Sequence, residues 1–214
     1  MYHSQDGQDL YLDKHVFKGL KNGIFVDIGA NDGITINNTL FFEKNLNWTG
    51  INIEPIQSVY QKLCINRPNC INVNCAIDEH SGYKDFITND GYTEMISGLK
   101  EHYDPRHYQR LFNENNIHKS STKIIKVKTD RLEKILEDNN IKHVNYMSID
   151  VEGAEFSVIK SINFDKCFID LIAFEDNYKD QQTQDIIDYL IGKNFAILKK
   201  TMDVFMINKA STFI

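Results

Sequence analysis

A short apolar stretch that ends in a glycine turn constrains this chain more than any other feature. The residues FVDIGANDG run from Phe25 to Gly33, with Asp27 inside the apolar run and Asn31 between Gly29 and Gly33. Glycine has no Cβ, so it lets the backbone turn sharply or approach a ligand closely, and asparagine is among the few other residues that adopt positive φ at low cost. The stretch therefore predicts a strand whose carboxyl end leads into a ligand-binding turn and then a helix.

Strand patterns and helix patterns alternate along much of the chain. The predicted strands lie at 23–29, 49–55, 70–77, 144–150 and 169–175, with one more that begins at Lys123. The predicted helices lie at 37–46, after 49–55 with Pro55 in the first turn, and from Leu132, Glu155 and Asp185 onwards. In the last of these helices, one face carries the apolar residues Ile186, Ile187, Leu190 and Ile191. The stretches FAILKK and VFMIN, separated by 201–203, predict a terminal hairpin. This alternation predicts a mostly parallel, doubly wound α/β sheet, to which the hairpin adds one antiparallel strand.

Length and composition indicate an ordinary soluble globular protein. The 214 residues suffice for a single α/β domain that spans 1–214. The formal net charge of −6 argues against non-specific nucleic-acid binding. The longest apolar runs are far shorter than the roughly 18–20 residues of a membrane span, and no signal-peptide pattern opens the chain. Cys64, Cys70, Cys75 and Cys167 include no C-x-x-C pair, so we expect free thiols in a reducing compartment and a cytoplasmic protein.

One segment, 78–121, follows no regular period. It is polar and aromatic, and we interpret it as an insertion that carries a short helix and selects the substrate. Three roles are open for Arg106, Arg110 and Tyr103 in this segment: they hold a phosphate, they stack on a ring, or they lie on a solvated helix face. His102 and His107 are five positions apart, which puts them on different faces of a helix, so no joint metal site is expected there.

The charges near the glycine turn distinguish between cofactors. Asp27 would repel a pyrophosphate but attract an ammonium, and S-adenosylmethionine (SAM) carries an ammonium and a sulfonium but no phosphate. Glu54 ends the second strand, where its carboxylate is placed to accept hydrogen bonds from both ribose hydroxyls of an adenosine cofactor. Gln5, Gln8 and Asp9 either fold over the bound ligand or begin an N-terminal helix. The pattern favours SAM over NAD.

Five stretches, taken together, carry a family resemblance. They are SQDGQD at 4–9, FVDIGANDG, NNTLFFEKNLNWTGINIEP at 37–55, NCAI at 74–77 and SIDVEGAE at 148–155. As a set they resemble the FkbM family of SAM-dependent methyltransferases. The resemblance implies a class I, Rossmann-like methyltransferase fold with a seven-stranded sheet. Asn37 departs from the pattern, because a serine is expected before Asn38 and Thr39.

The cofactor residues follow from the glycine turn, the second-strand acid and this resemblance. The residues that we expect to bind SAM are Gln8, Asp27, Gly29, Asn31, Gly33, Asn38, Glu54, Ala76 and Ile77.

The stretch SIDVEGAE places two candidate catalytic acids beyond the end of a central strand. Asp150 would point towards the transferring methyl group, with Glu152 just beyond it. An alcohol is a poor nucleophile at neutral pH, so either a carboxylate base or a metal ion must assist it. Glu175 and Asp176 end the neighbouring strand, which makes Asp150 and Glu175 candidate ligands for Mg²⁺ or Mn²⁺. The alternative for Glu175 and Asp176 is capping of the next helix.

The function predicted on this basis is O-methylation of a hydroxyl on a sugar, sugar nucleotide or glycan. The substrate class is implied by the resemblance, because many members of the family act in glycan or natural-product pathways. Three alternatives stay open: a methyltransferase of a non-sugar natural product (O- or N-), a non-catalytic binding protein of the same fold, and a dehydrogenase. The expected partner is a small molecule or a glycan.

Overall fold

Strands and helices alternate through most of the chain, as the sequence pattern predicts. The computed structural model describes residues 1–176 and 178–213, without the side chains of 92–94. In chain order its strands are β1 (Ile24–Ile28), β2 (Thr49–Ile53), β3 (Ile71–Val73), β4 (Ala76–Ile77), β5 (Gly82–Asn89), β6 (Gly98–Leu99), β7 (Thr122–Asp130), β8 (His143–Ile149), β9 (Phe168–Glu175), β10 (Phe195–Lys200) and β11 (Asp203–Asn208). Its α-helices are α1 (Gln8–Tyr11), α2 (Leu40–Leu46), α3 (Gln57–Asn66), α4 (Pro105–His118), α5 (Leu132–Asp138), α6 (Glu155–Lys160) and α7 (Gln181–Gly192). A π-helical segment, Leu12–Phe17, continues α1.

The main sheet has seven strands in the order β10-β11-β9-β8-β1-β2-β3. The five strands from β9 to β3 pair in parallel. Strand β11 runs antiparallel to both of its neighbours, β9 and β10. The predicted seven-stranded, mostly parallel sheet with a C-terminal antiparallel hairpin is confirmed.

Helices cover both faces of this sheet. Successive side chains of a strand point to opposite faces, so each strand contributes apolar side chains to both layers of packing. In β1, Val26 and Ile28 belong to an aliphatic cluster with residues of α5, α6 and α7, whereas Phe25 belongs to an aromatic cluster on the other face. The prediction for the face of α7 is confirmed at three of its four positions. It is wrong for Ile191, which is 46% exposed, whereas Ile186, Ile187 and Leu190 are buried.

The segment 78–121 is more ordered than the sequence predicts. It contains strands β5 and β6, two short 3₁₀ segments (Gly91–Ile96 and Lys100–His102) and the 14-residue helix α4. Strands β5 and β6 join β4 and β7 in a second, four-stranded sheet with the order β4-β7-β5-β6. The strand predicted from Lys123 therefore lies in this second sheet. The segment is thus ordered by pairing of β5 with β7, which lies just beyond it in the chain.

Three predicted boundaries are wrong, each for a local reason. The stretch 70–77 is two strands in different sheets, because the Asn74 amide donates to the carbonyls of Glu54 and Pro55 and holds the chain between them. Helix α2 begins at Leu40, since the Asn37 side chain accepts the backbone N–H of Leu40 and caps the turn there. Helix α3 begins at Gln57, so Pro55 lies before the helix.

The four cysteines are free thiols, with Cys75 and Cys167 buried. Within the ranges that the structure describes, the helices are too short or too polar to cross a membrane.

Candidate functional site

The glycine turn after β1 is shaped by the end of the neighbouring strand β8. Gly29 has φ of 86°, and a Cβ at this position would lie 1.8 Å from the backbone oxygen of Asp150. Its N–H and that of Ala30 both donate to the carbonyl of Ile53 at the end of β2. Asn31 has φ of 49°, which confirms that it adopts the left-handed conformation. The turn is thus fixed between the carboxyl ends of three parallel strands.

Asp27 belongs to a buried network beneath this turn. Its carboxylate accepts hydrogen bonds from the Asn37 amide at 2.8 Å and from the Thr39 hydroxyl at 2.8 Å. Arg67, which has no exposed surface, donates to Asn37, to Thr39 and to the carbonyl of Gly33. Burial raises the pKa of Asp27, while the charge of Arg67 opposes that rise. Asn37, which departs from the expected serine, is therefore the hub of this network.

Two adjoining cavities open at the carboxyl ends of the parallel strands. The apolar cavity lies between the glycine turn and the second sheet, and its walls include Ile53, Ile77, Phe86 and Leu99. The acidic cavity, of about 700 Å³, lies beyond β8 and β9. Both cavities include Asn31, Met95 and Asp150 in their walls. Together they form one cleft at the edge of the sheet where ligands of open α/β folds bind.

The cleft brings most of the predicted site residues together. Those in the walls of the apolar cavity are Gly29, Asn31, Glu54, Ala76, Ile77 and Asp150. Those in the walls of the acidic cavity are Gln8, Asn31, Asn38, Asp150, Glu152 and Glu175.

Two predicted cofactor residues, Asp27 and Gly33, lie in the wall of neither cavity. Asp27 is 4% exposed and faces the Arg67 network, so the structure does not place it against a ligand in the cleft. Gly33 has φ of 78°, and a Cβ there would lie 2.6 Å from Leu63 and from Arg67. A glycine is needed at position 33 because any side chain there would collide with Leu63 of α3 and with Arg67.

Glu54 stands where the second-strand acid was predicted. It is 6% exposed, and its Oε1 accepts the N–H of Ile56 at 2.7 Å. This hydrogen bond fixes the carboxylate at the entrance of the following loop. The apolar cavity therefore has a fixed acid at its edge and apolar side chains inside.

Three carboxylates meet at the junction of the cavities. Single oxygens of Asp150, Glu152 and Glu175 all lie within 4.8 Å of one another. Asp150 is exposed to the open cleft. Its pKa is raised above its ordinary value by the protein atoms around its carboxyl and by the like charges of Glu152, Asp203 and further carboxylates, and the like charges are the firmer cause because water reaches this residue. A group of hard oxygen ligands at this spacing suits either a general base or a divalent cation.

Asp176, the second acid after β9, is buried beside the start of α7, whose N-cap is Asp180. It has no exposed surface, its Oδ1 accepts hydrogen bonds from the Thr183 hydroxyl at 2.6 Å and from the Lys179 N–H at 2.9 Å, and Lys200 lies 3.2 Å from its Oδ2. The capping alternative is wrong for Asp176, because the Asp180 side chain accepts the backbone N–H of Gln182 and caps α7. Glu175 lies in the wall of the acidic cavity.

The N-terminal segment begins helix α1 and also borders the acidic cavity. Gln5 and Gln8 lie in the wall of the acidic cavity, and the Gln8 amide donates to Asp203 at 2.8 Å. Asp9 lies inside α1 and accepts hydrogen bonds from His3 and Ser4. Asp203 was not predicted as a site residue, because its only sequence signal is a polar break between two strands.

Helix α4 carries Arg106 and Arg110, the two arginines for which the sequence left a ligand-binding role and a solvated helix face open. Arg110 lies in the wall of the acidic cavity and pairs with Glu114. Arg106 stacks over Tyr178, with its guanidinium carbon 3.7 Å from the ring centroid, and pairs with Asp104 and Asp180. Both arginine side chains are about half exposed, 49% and 46%, as expected for a solvated helix face, and Arg106 also stacks on a ring.

Comparison with models of protein families places most of the chain in a known family. Residues 27–197, well over half of the chain, match the model of the methyltransferase FkbM domain. A search among curated proteins finds no match. The chain therefore belongs to the FkbM methyltransferase family, and its seven-stranded α/β architecture fits a Rossmann-like methyltransferase.

Proposed function

We propose that this member of the FkbM methyltransferase family transfers a methyl group from SAM to a hydroxyl of a sugar, sugar nucleotide or glycan. The observation that carries the proposal is the single cleft in which an apolar cavity with Glu54 meets an acidic cavity at Asp150. The strand order, with β11 antiparallel between β9 and β10, supports the class I methyltransferase layout. SAM supplies, when bound, a methyl group that its sulfonium has already activated.

The residues of the apolar cavity suit the adenosine part of SAM. Ile53, Ile56, Ile77 and Phe86 offer apolar surface for a flat base, and Glu54 offers carboxylate oxygens for ribose hydroxyls. The amino acid part would extend towards Gln8, Asn31 and Asn38 in the acidic cavity, where carboxylates attract an ammonium. We therefore assign cofactor binding to the cleft residues and leave Asp27 and Gly33 in supporting roles.

Asp150 and Glu152 are the proposed catalytic acids. The Asp150 carboxylate would take the proton of the acceptor hydroxyl, and the hydroxyl oxygen would receive the methyl group as the bond from that methyl to the sulfonium sulfur breaks, with S-adenosylhomocysteine as the leaving group. A raised pKa makes Asp150 a stronger base than an ordinary aspartate, and the charge of Glu152 contributes to that rise. Asp150 lies at the junction of the two cavities, where the acceptor and the cofactor would meet, and Glu152 lies near it in the wall of the acidic cavity.

The charges of the acidic cavity favour an acceptor without phosphate. Its walls carry the carboxylates of Asp6, Asp32, Glu114, Asp150, Glu152, Glu175 and Asp203. Arg110 is the only lysine or arginine among the described wall residues, and it is paired with Glu114. Within the proposed class, neutral or amine-bearing sugars and glycans should therefore be better acceptors than sugar nucleotides.

Two measurements test the proposed function directly. Calorimetry with SAM, its demethylated product S-adenosylhomocysteine and NAD should show binding of the first two only; binding of NAD would instead support a dehydrogenase. Mass spectrometry of neutral sugars, amino sugars and sugar nucleotides after incubation with protein and SAM should show a gain of one methyl group. A protein that binds SAM but methylates no acceptor would favour the non-catalytic alternative, and methylation of a non-sugar compound alone would favour the natural-product alternative.

Replacement of Glu54 by alanine should weaken SAM binding by about 1–3 kcal/mol, roughly 5- to 150-fold in Kd, because two ribose hydroxyls lose a charged acceptor. Calorimetric titration of the variant with SAM measures the change. Glu79→Ala is the matched control, since Glu79 is a part-exposed acid that pairs with Lys160 and lies in the wall of neither cavity. Equal affinity of the Glu54→Ala variant and wild type would remove Glu54 from the cofactor site.

A divalent cation is the second candidate for activating the hydroxyl. Asp150, Glu152 and Glu175 offer three oxygen ligands within 4.8 Å of one another, a donor set that Mg²⁺ or Mn²⁺ accepts. However, Oε2 of Glu152 lies 2.6 Å from the ring nitrogen of His107 and is already used in a hydrogen bond. A metal-bound carboxylate commonly accepts such a hydrogen bond as well, so we prefer the direct carboxylate mechanism because Asp150, with its raised pKa, needs no second component.

We expect turnover to persist when EDTA is added, because Asp150 then serves as the base without a metal. Rates of acceptor methylation before and after chelation provide the measurement. A loss of activity that Mg²⁺ or Mn²⁺ restores would show instead that the cation binds between Asp150 and Glu175. Addition of EDTA already saturated with Mg²⁺ controls for effects of the chelator itself.

A further inference from the structure

We propose that His107, in helix α4, is a positioning residue that holds the Glu152 carboxylate in the acidic cavity. His107 is 1% exposed, and its Nε2 lies 2.6 Å from Oε2 of Glu152. A carboxylate can only accept a hydrogen bond, so the ring donates from Nε2. The inference rests on the proposed function, because it assigns to α4 a task in the reaction of that site.

The backbone conformation at Glu152 indicates that the turn which carries this side chain is held in place by its surroundings. Glu152 has φ of 55°, an uncommon value for a residue other than glycine, asparagine or aspartate. Gly153 follows with φ of 111°, and a Cβ there would lie 2.6 Å from the carbonyl oxygen of His102. The turn after Asp150 therefore packs directly against the chain that leads into α4. A strained turn of this kind persists only where its surroundings hold it.

The His107 ring is itself held by aromatic neighbours. The ring of Tyr178 lies edge-on to it, with centroids 5.1 Å apart, and the ring of Tyr103 lies 5.3 Å away. Arg106, one residue before His107, stacks on Tyr178 and pairs with Asp180 at the start of α7. The amino end of α4 is thus attached to the segment that follows β9, the strand that carries Glu175. A ring fixed on two sides aims its hydrogen bond in one direction.

The other ring nitrogen supports one tautomer. Nδ1 of His107 is buried and has no hydrogen-bond partner within the described part of the chain. A ring that carries its hydrogen on Nε2 alone leaves no buried N–H without an acceptor. The segment 78–121, predicted to select the substrate, then also orders the acidic residues that would carry out the chemistry.

The hydrogen bond itself is tested by nitrogen-15 NMR of histidine-labelled protein. We expect the His107 signals to show hydrogen on Nε2 and a bare Nδ1, with an Nε2 proton that exchanges slowly and shifts in a Glu152→Gln variant. Signals of a ring with hydrogen on Nδ1 alone would overturn the proposal, whatever the acceptor. This readout needs no substrate.

The positioning role is tested by two substitutions at the same site. His107→Phe keeps a ring but donates no hydrogen bond, and it should lower kcat about 10-fold or more, the size of effect expected from a lost hydrogen bond to a charged group. His107→Gln places an amide N–H near the former Nε2 and should restore most of that loss. The Kd for S-adenosylhomocysteine should stay unchanged in both, because His107 lies in the wall of neither cavity. His118→Phe, at the exposed carboxyl end of the same helix, is the matched control.

The outcomes separate this inference from the proposed function. If wild type methylates no acceptor in the sugar panel, the proposed function fails before any variant is made, and the NMR result decides whether His107 holds Glu152. If wild type is active and His107→Phe is equally active at equal stability, the positioning role is wrong. Loss of activity in both His107 variants with a matching loss of stability in urea would also overturn it, since His107 would then only support the fold.

Discussion

An Asp150→Asn variant is expected to lose at least about 10²-fold in turnover on an acceptor that the wild-type protein methylates. The amide keeps the size of the side chain but cannot accept a proton at neutral pH. It is also a much poorer ligand for a hard cation than a carboxylate. The loss is therefore expected whether Asp150 acts as a base or shares a cation with Glu175. SAM affinity should change little, because most cofactor contacts are assigned to other residues.

The pH dependence of wild type provides a second measurement on the same residue. The pKa of Asp150 is raised by its protein surroundings and by the like charges of Glu152 and Asp203. A base must be deprotonated to act, so kcat/KM should rise with pH along a limb centred above the range of an ordinary aspartate. In Asp150→Asn this limb should disappear.

The control for Asp150→Asn is the same substitution at Asp138. Asp138 ends α5, its side chain is 63% exposed, and it lies in the wall of neither cavity. Asp138→Asn should keep wild-type turnover. Near-normal turnover of Asp150→Asn would exclude both proposed mechanisms, and a base would then have to be sought among the histidines of segment 78–121.

The sequence was sufficient to predict the main sheet because its signals are local and repeated. Apolar runs such as 144–150 and 169–175 fill buried parallel strands, and each is followed by a polar turn and an amphipathic helix. The hairpin of β10 and β11 follows from two apolar stretches with a short polar break. The prediction failed at 70–77, where a single side chain, Asn74, diverts the chain into the second sheet.

The site was predictable only in part because side-chain direction depends on contacts distant in sequence. Gly29 and Gly33 look equivalent in the motif, yet the first meets Asp150 and the second meets Arg67. Asp27 looks like a ligand for an ammonium, but its carboxylate points into a network completed by a residue 40 positions further on. His107 reaches Glu152 across 45 positions. No local sequence pattern predicts contacts between side chains so far apart in the chain.

The largest effect on stability is expected at Arg67. Its Nε donates to Glu43, and its two terminal nitrogens reach Asn37, Thr39 and the Gly33 carbonyl. Arg67→Met keeps a long apolar side chain but leaves the Glu43 carboxylate, 7% exposed, without this cation. Removal of one partner of a buried ion pair costs about 3–5 kcal/mol, so we expect a loss of that size in the free energy of unfolding, measured by urea denaturation.

A surface pair provides the control for this variant. Lys166 and Glu137 form an ion pair in which both side chains are about half exposed, 59% and 48%. Lys166→Met should change the free energy of unfolding by no more than about 1 kcal/mol, because exposed pairs contribute little. If Arg67→Met cost no more than Lys166→Met, the network beneath the glycine turn would not stabilise the fold.

The loss in Arg67→Met should also grow as pH rises. Burial already raises the pKa of Asp27 in the folded protein, and the charge of Arg67 limits that rise. Without Arg67 the pKa of Asp27 in the folded state rises further above its value in the unfolded state. At pH values between these two pKa values, the folded state binds more protons than the unfolded state. Stability then falls with increasing pH, since the slope follows the protons bound by the unfolded state minus those bound by the folded state. Urea denaturation at pH 5 and pH 8 should therefore show the larger deficit relative to wild type at pH 8, and an equal deficit at both values would mean that Arg67 does not act on Asp27.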